Sequence, residues 1–353
     1  MIFLTLLIIP IVIALCFFLV GGKKVTWKEF LIQCGVQFII VGISILCIYF
    51  SNVTDTEIWN GYVTDKKQVK VGCRHSYRCM CVTMSCGKDC TTTVCQTCYD
   101  HDHDFDWEVY TNIEHTYDID TLDSQGLKEP PRWTNVVIGE PISIKKKFEN
   151  FIKASSDTLF RKKELTNEYT NLIPQYPDNI YDYYRLDRVL MVGTNISNVR
   201  EWNKNLSELN GQLGKTKEAN IILIFTNLPD KYLYSLEQRW LGGKKNDIII
   251  ITGLEDNNIT WVGVIAWCKD NIVKVKLRDD LLELKELNQV KFLEIVKADV
   301  STYYERQSFE EYRYLITSIT PSFGEWLTAM IIGSLIAFGI GVYLYNNEYE
   351  SNS

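Results

Sequence analysis

ANIILIFTN (219–227) is followed in the chain by PDKYLYSLEQRWLG (229–242) and NDIIIITG (246–253). The first and third runs are almost wholly apolar and rich in isoleucine, which is typical of strands covered on both faces of a sheet. The middle run has the length and spacing of a helix. This order predicts two neighbouring parallel strands joined by a right-handed helical crossover.

The alternation of strands and helices continues on both sides of this stretch. Apolar runs and amphipathic runs of suitable length predict the remaining elements. These are strands at 186–193 (LDRVLMVG), 258–268 (NITWVGVIAWC) and 272–277 (IVKVKL), and helices at 197–213, 279–295 and 298–317. We therefore predict an α/β fold whose main domain, 185–322, has a sheet between two layers of helices.

Catalytic motifs are missing from this domain. Gly214, Lys215 and Thr216 look like the end of a phosphate-binding loop, but Leu209 occupies the place of the first glycine and a helix precedes the segment. Neither a Gly-x-Ser-x-Gly elbow nor a His-Glu-x-x-His helix occurs. All four histidines lie outside the domain. We predict no catalytic and no cofactor-binding residues, and a protein that is not an enzyme.

Ligands of open α/β sheets bind at the carboxyl ends of the strands. That rule favours Thr194, Asn195, Asn227 and Asp230 as polar ligand residues. The other aspartates near strand ends are Asp187, Asp247 and Asp256.

Residues 234–267 resemble the TPM domain, in which a helix ends in a Trp–Gly-type turn and a Lys/Gly-rich loop leads into an apolar strand. The matching residues are Arg239, Trp240, Gly242, Gly243, Asn246 and the strand 248–251. The resemblance covers roughly 186–296 and implies an α/β/α fold on the outer side of a membrane. Some TPM domains are credited with phosphatase activity or cation binding, but no acidic metal cluster of that family matches residues here.

Three blocks of 20 uncharged residues predict membrane-spanning helices at 1–20, 31–50 and 326–345. The first could instead be a signal peptide, but it has no basic start and no clear cleavage site. The first two blocks form a hairpin (1–50) whose loop carries Lys23, Lys24 and Lys28, so the positive-inside rule places that loop in the cytoplasm. We therefore predict a multi-pass protein of the bacterial inner membrane with its large domain in the periplasm and a short inner tail, 346–353.

Small residues line one face of the last apolar block. Gly333, Ala337 and Gly341 follow at intervals of four residues, which lets another helix approach closely. We expect that helix to belong to the N-terminal hairpin of the same chain, or of a second copy in a homo-oligomer.

Seven of the eleven cysteines crowd into 73–98, within a predicted Cys-rich β lobe at 51–143. Outside the apolar blocks the cysteines are Cys73, Cys79, Cys81, Cys86, Cys90, Cys95, Cys98 and Cys268. Two interpretations remain: disulfides in an oxidising compartment, or structural zinc if the domain is cytosolic. The predicted topology favours disulfides. Cys268 would either pair with the odd cysteine of the lobe or stay a buried thiol.

The segment YDHDHDFDWEVY (99–110) follows the cysteines. On a strand, Asp100, Asp102, Asp104 and Asp106 would share one face, with His101 and His103 on the other. Carboxylates and imidazoles bind divalent cations. We weigh a metal site at His101, Asp102, His103 and Asp104 against an ordinary strand with a solvated acidic face, and prefer the latter.

Residues 144–163 have apolar side chains at helical spacing, so 144–184 is interpreted as an amphipathic helix and a linker. A net charge of −7 argues against a nucleic-acid partner. The arrangement, with segments such as 75–77 and 129–133, also resembles membrane proteins of tailed bacteriophages. The sequence thus favours a membrane-anchored envelope protein that presents a disulfide-stapled domain to a protein partner. The alternative is a metal-dependent, phosphatase-like hydrolase of the TPM type.

Overall fold

The computed structural model describes residues 2–22, 24–87, 90–158, 160 and 167–346. The chain divides into two units. We call them the helical unit (Met1–Thr56, Lys147–Glu164 and Ser308–Ser353) and the sheet unit (Glu57–Lys146 and Leu165–Gln307). The Cys-rich lobe and the α/β sandwich, which the sequence separates at 143 and 185, lie in the same unit.

One four-stranded sheet of the sheet unit contains β7 (Val189–Val192), β8 (Asn220–Thr226), β9 (Asp247–Glu255) and β10 (Asn258–Ala266). Strands β7, β8 and β9 are parallel neighbours, and β10 pairs antiparallel with β9 at the edge. The predicted strand–helix–strand order is therefore confirmed, and β9 and β10 are consecutive antiparallel strands.

Helices cover both faces of this sheet. Alternate side chains of β8 point to opposite faces: Ile221, Leu223 and Phe225 pack in one cluster, Ile222 and Ile224 in another. The first cluster contains side chains of Val199–Lys217, Ile272–Glu283 and Gln289–Tyr303, and the second contains side chains of Tyr232–Arg239. The protein thus has the mixed α/β architecture that the sequence predicts.

The strand predicted at 272–277 is wrong, because Ile272–Glu283 is a helix. Val273, Leu277 and Leu281 recur every four residues and are fully buried, a period that is visible only when the run is read beyond residue 277. The single helix predicted at 279–295 is also wrong, because the first helix ends at Glu283. Asn288 caps a new helix, Gln289–Tyr303, and a 3₁₀ helix, Phe309–Ser318, follows in place of the end of the predicted helix 298–317.

A second sheet contains the strands β1 (Thr54–Val71), β4 (Asp104–Thr111), β5 (Thr116–Ile119) and β6 (Pro141–Glu149). Their order across the sheet is β5-β4-β1-β6, and both β1–β4 and β4–β5 are antiparallel. Between β1 and β4 the chain forms a separate two-stranded sheet of β2 (Ser76–Gly87) and β3 (Cys90–Tyr99), which we call the hairpin.

Strand β6 corrects the helix predicted at 144–163. Ile142 and Ile144 are buried with the period of a strand, and the described helix that follows β6 is the short Phe151–Ala154. The spacing of Ile144, Phe148 and Ile152 fits a helix, but the chain starts the strand three residues earlier, at Pro141. Residues 159 and 161–166 lie outside the described part of the chain.

The α-helices of the described chain are numbered in chain order. They are α1 (Ile2–Gly21), α2 (Trp27–Val53), α3 (Pro131–Thr134), α4 (Phe151–Ala154), α5 (Val199–Lys217), α6 (Tyr232–Arg239), α7 (Ile272–Glu283), α8 (Gln289–Tyr303) and α9 (Phe323–Asn346).

Two helices, α2 and α9, are long and apolar enough to cross a membrane. Helix α1 is also apolar, but the part of it described in full, Thr5–Gly21, is shorter than a span. The structure therefore supports two spans where the sequence predicts three.

The small residues of α9 face the other helices of the same chain. Gly333, Ala337 and Gly341 are buried, and the amide Nε2 of Gln33 in α2 donates to the Ala337 carbonyl at 2.8 Å. A Cβ atom at Gly341 would lie 2.3 Å from the ring of Phe17 in α1. The predicted close approach of helices is confirmed, and it occurs within the chain.

We expect Gly341→Val to weaken the packing of α1 on α9 by about 1–3 kcal/mol, because the new side chain overlaps the Phe17 ring. Gly339→Val is the matched control, since no heavy atom lies within 4 Å of a Cβ at Gly339. Thermal unfolding in detergent micelles measures both. Equal melting temperatures for the two variants would contradict this packing.

Candidate functional site

The hairpin has one apolar face and one polar face. In its antiparallel register, Val82 lies opposite Val94, and Thr83 lies opposite Thr93 on the other face. The hydroxyls of Thr83 and Thr93 are 3.1 Å apart. Met84 is two residues from Val82, and Val94 is the cross-strand partner of Val82, so both share its face. Tyr77 shares this face too, because it pairs with Cys98, four residues from Val94, and a bulge after Cys79 adds one residue to its strand.

The apolar face is open to solvent. The exposed fractions are 60% for Val82, 54% for Met84, 52% for Val94 and 51% for Tyr77. Val82, Met84 and Val94 are neighbours on this face, and Tyr77 lies beyond the Cys79–Gln96 pair. Exposed large apolar side chains gathered on one face are unusual on a surface that contacts only water.

Two disulfides hold the strands of the hairpin together: Cys79–Cys98 and Cys81–Cys95. Between Cys79 and Val82 the register shifts at a bulge, where Met80 has a positive φ of 45°. Four of the eight predicted disulfide cysteines are therefore paired, which excludes them as the zinc ligands that the sequence also suggested. The side chains of Cys86 and Cys90 lie outside the described part.

Cys73 and Cys268 are free thiols. For Cys73 this corrects the predicted disulfide, whereas for Cys268 it agrees with the alternative of a buried thiol. Cys268 is buried against the sheet, and burial raises the pKa of its thiol. Cys73 precedes the hairpin, in the link between β1 and β2.

Cys73 lies beside His101 and Asp104, and we call these three residues the Cys73 cluster. One ligand atom from each lies within 4.8 Å of the other two. Nδ1 of His101 is 3.8 Å from Sγ of Cys73 and 3.3 Å from Oδ1 of Asp104. The sequence offered His101 and Asp104 as candidate metal ligands, although the ordinary strand was preferred. It grouped them with Asp102 and His103, which are not in this cluster, and it missed Cys73.

The solvated acidic face predicted for Asp100, Asp102, Asp104 and Asp106 is wrong for the last two. Strand β4 begins only at Asp104, and both Asp104 and Asp106 are buried. Arg74 compensates the buried negative charge of both carboxylates. Its backbone N–H donates to Oδ2 of Asp104 at 2.9 Å, and its guanidinium pairs with Asp106. The hydrogen bond from Arg74 N lowers the pKa of Asp104.

The other histidines are not members of this cluster, although the ring of His75 lies edge-on to that of His101 with 6.2 Å between centroids. Nε2 of His75 is 2.9 Å from the Ser124 carbonyl, so this nitrogen carries the proton. The rings of His103 and His115 pack edge-on against Phe105 and Tyr117.

The carboxyl ends of β7 and β8 border a cavity of about 760 Å³. Thr194, Asn195 and Asn227, the residues that the strand-end rule favours, line it together with Asp256. Asp230 lines a neighbouring cavity instead. Asp187 and Asp247 lie at the opposite, amino ends of β7 and β9.

Sequence reasoning missed a buried polar network at those amino ends. Arg188, 2% exposed, donates from Nε to Oδ1 of Asn220 at 2.8 Å, and from Nη2 to Asn60 and Ser143. Asn220 in turn donates to Asp247 at 2.8 Å. Burial lowers the pKa of Arg188 to about 10 and raises that of Asp247 to about 6.

This network joins the two sheets of the sheet unit. Asn60 belongs to β1 and Ser143 to β6, whereas Asn220 and Asp247 begin β8 and β9. Its role is structural, because these groups satisfy one another's hydrogen-bonding capacity in the interior.

Comparison with known proteins identifies no relative: no protein-family model, curated protein or solved structure matches the chain. The resemblance to TPM domains and phage membrane proteins stays a prediction.

Proposed function

We propose that the chain is a membrane-anchored envelope protein that presents the hairpin to a protein partner outside the cytosol. The observation that carries the proposal is the apolar face of the hairpin, whose four large side chains are half-exposed or more. When a partner covers this face, apolar surface is removed from contact with water, and this favours binding.

The backbone of the hairpin supports the same conclusion. It is a two-stranded sheet, so in the described chain both outer edges carry N–H and C=O groups that no third strand pairs. A protein with an extended segment can add to such an edge, with main-chain hydrogen bonds for affinity and side-chain contacts for specificity.

The periplasmic location in this proposal is supported by the disulfides of the hairpin and by the lysines near the start of α2. Disulfides persist in oxidising compartments, which favours the periplasm for the hairpin. Lys24, between α1 and α2, and Lys28, at the start of α2, belong on the cytoplasmic side by the positive-inside rule. With α2 crossing the inner membrane, the segment between α2 and α9 faces the periplasm of the bacterial cell, whether the gene is the bacterium's own or a phage's.

A photo-cross-linking residue placed at position 82 or 83 of the full chain in bacterial cells tests the proposal. We expect Val82 on the apolar face to give a discrete protein adduct and Thr83 on the polar face to give none. Val94→Asp should abolish the adduct from position 82, since it places a carboxylate opposite it. Equal adducts from both faces, adducts with lipid alone, or no adduct would contradict the proposal.

The alternative function, a metal-dependent hydrolase of the TPM type, has one supporting observation. The cavity at the strand carboxyl ends brings Thr194, Asn195 and Asn227 together with Asp256. Phosphatase assays of the full chain, with several divalent metals and with a chelator, would test it. The activity should depend on metal and fall in Asp256→Asn; a flat result under all metals argues against the alternative.

A further inference from the structure

The Cys73 cluster combines three kinds of metal ligand: a thiol, an imidazole and a carboxylate. Cys73 lies in the link after β1, and His101 and Asp104 lie at the entry to β4. Residues so far apart in sequence meet here because β1 and β4 are paired, with Val71 opposite Asp104.

Two of the three distances between ligand atoms match a tetrahedral zinc site, and the third pair, Cys73 and Asp104, lies within 4.8 Å. Zinc binds sulfur at about 2.3 Å and nitrogen or oxygen at about 2.0–2.2 Å, so neighbouring ligands lie roughly 3.3–3.8 Å apart. The distances from Nδ1 of His101 are 3.8 Å to Sγ of Cys73 and 3.3 Å to Oδ1 of Asp104.

A second observation points to a ligand. Asp104 is only 5% exposed, and its Oδ1 accepts no well-aligned hydrogen bond from the described residues, although Nδ1 of His101 lies 3.3 Å from it. The other oxygen, Oδ2, accepts the Arg74 N–H. A buried carboxylate oxygen without a well-aligned donor is costly, and a cation bound between it and its two neighbours would remove that cost.

We propose that Cys73, His101 and Asp104 bind one zinc ion, with a water molecule as the fourth ligand. Thiolate and imidazole select zinc over the hard cations magnesium and calcium, which prefer oxygen ligands. Three protein ligands and an open position are a common zinc arrangement.

The ion would brace the base of the hairpin. Cys73 and His101 flank the hairpin in sequence, so zinc closes the chain at its base while the disulfides close it along its length. The zinc site does not depend on the proposed function, because metal binding is measured without any partner.

The test uses the full chain, purified in detergent with its disulfides intact, and zinc as the probe. Cys73→Ser, His101→Gln and Asp104→Asn each remove one ligand. Asp102→Asn and His103→Gln are the matched controls, since these neighbours carry the same groups outside the cluster. We expect about one zinc per chain in the wild type and the controls, and at least ~10-fold weaker binding in each ligand variant.

Cobalt substitution adds a readout that is specific for the thiolate. A cysteine–cobalt charge-transfer absorption should appear in the wild type and in both controls, and should be lost in Cys73→Ser. Circular dichroism and disulfide mapping show that each variant is folded. A folded wild type that binds no zinc, or ligand variants that bind it as tightly as the controls, would overturn the proposal.

Discussion

Gly214→Ala is expected to destabilise the sheet unit by about 3 kcal/mol or more. Helix α5 runs so close to β1 that a Cβ atom at Gly214 would lie 1.9 Å from the carbonyl oxygen of Asn60. That oxygen belongs to the backbone, so a change of side-chain rotamer cannot make room. One turn earlier, a Cβ at Gly211 would lie 2.7 Å from the carbonyl of Gly61, which shows that this face of the helix needs glycine at both positions.

Thermal and urea unfolding of the full chain, followed by tryptophan fluorescence, measures this effect. Gly72→Ala serves as the control, because a Cβ at Gly72 meets no heavy atom within 4 Å. The control should unfold close to the wild type. Should Gly214→Ala do the same, α5 does not pack on Asn60 as described.

Arg188→Met should cost about 3–5 kcal/mol, the second large effect, because it breaks a buried charged network from one side. The oxygens of Asn60 and Asn220 lose the guanidinium that donates to them, and Asp247 loses the favourable charge of Arg188. Arg185→Met is the matched control: Arg185 pairs with Glu140 at 2.7 Å, but its side chain is 48% exposed.

Urea unfolding of both variants gives the comparison. Exposed ion pairs contribute roughly 0–1 kcal/mol, so Arg185→Met should lose little stability. Equal losses in the two variants would contradict a structural role for the network.

Asp247 makes the same network sensitive to pH. Its pKa is raised to about 6 in the folded protein, whereas the ordinary value of 3.8 applies in the unfolded chain. The folded state therefore keeps a proton that the unfolded state has lost, and stability falls as pH rises from about 3.8 to about 6. At about 1.4 kcal/mol per pKa unit, the loss is on the order of 3 kcal/mol.

Asp247→Asn should abolish this part of the pH dependence, because asparagine does not titrate. The quantity to measure is the difference in unfolding free energy between the variant and the wild type from pH 4 to pH 7. The stability of the variant relative to the wild type should increase as pH rises and should level off above pH 6. A difference that stays constant with pH would show that Asp247 is already ionised at pH 4.

The candidate zinc site was only half visible in the sequence. His101 and Asp104 stand in a run of alternating aspartate and histidine, which drew attention to them together with Asp102 and His103. Which members of that run meet depends on where β4 begins and on the register that brings Cys73 alongside. Sequence spacing carries no information on such a register.

The disulfides, too, were only partly predictable from the sequence. Density of cysteines predicted covalent cross-links in 73–98, but pairing of Cys79 with Cys98 and of Cys81 with Cys95 follows from the bulge in β2 and the register of the hairpin. Cys73 is a thiol because the fold places it beside the start of β4 and outside the hairpin strands.

Local patterning sufficed for the apolar helices α2 and α9, for the β8–α6–β9 unit and for the small-residue face of α9, because each depends on side chains that repeat within one element. Tertiary structure alone decided the strand β6, the closeness of Gly214 to Asn60 and the Arg188–Asp247 network. Those features arise where elements distant in the chain compete for the same space and must satisfy each other's polar groups, and a local pattern does not contain its partners.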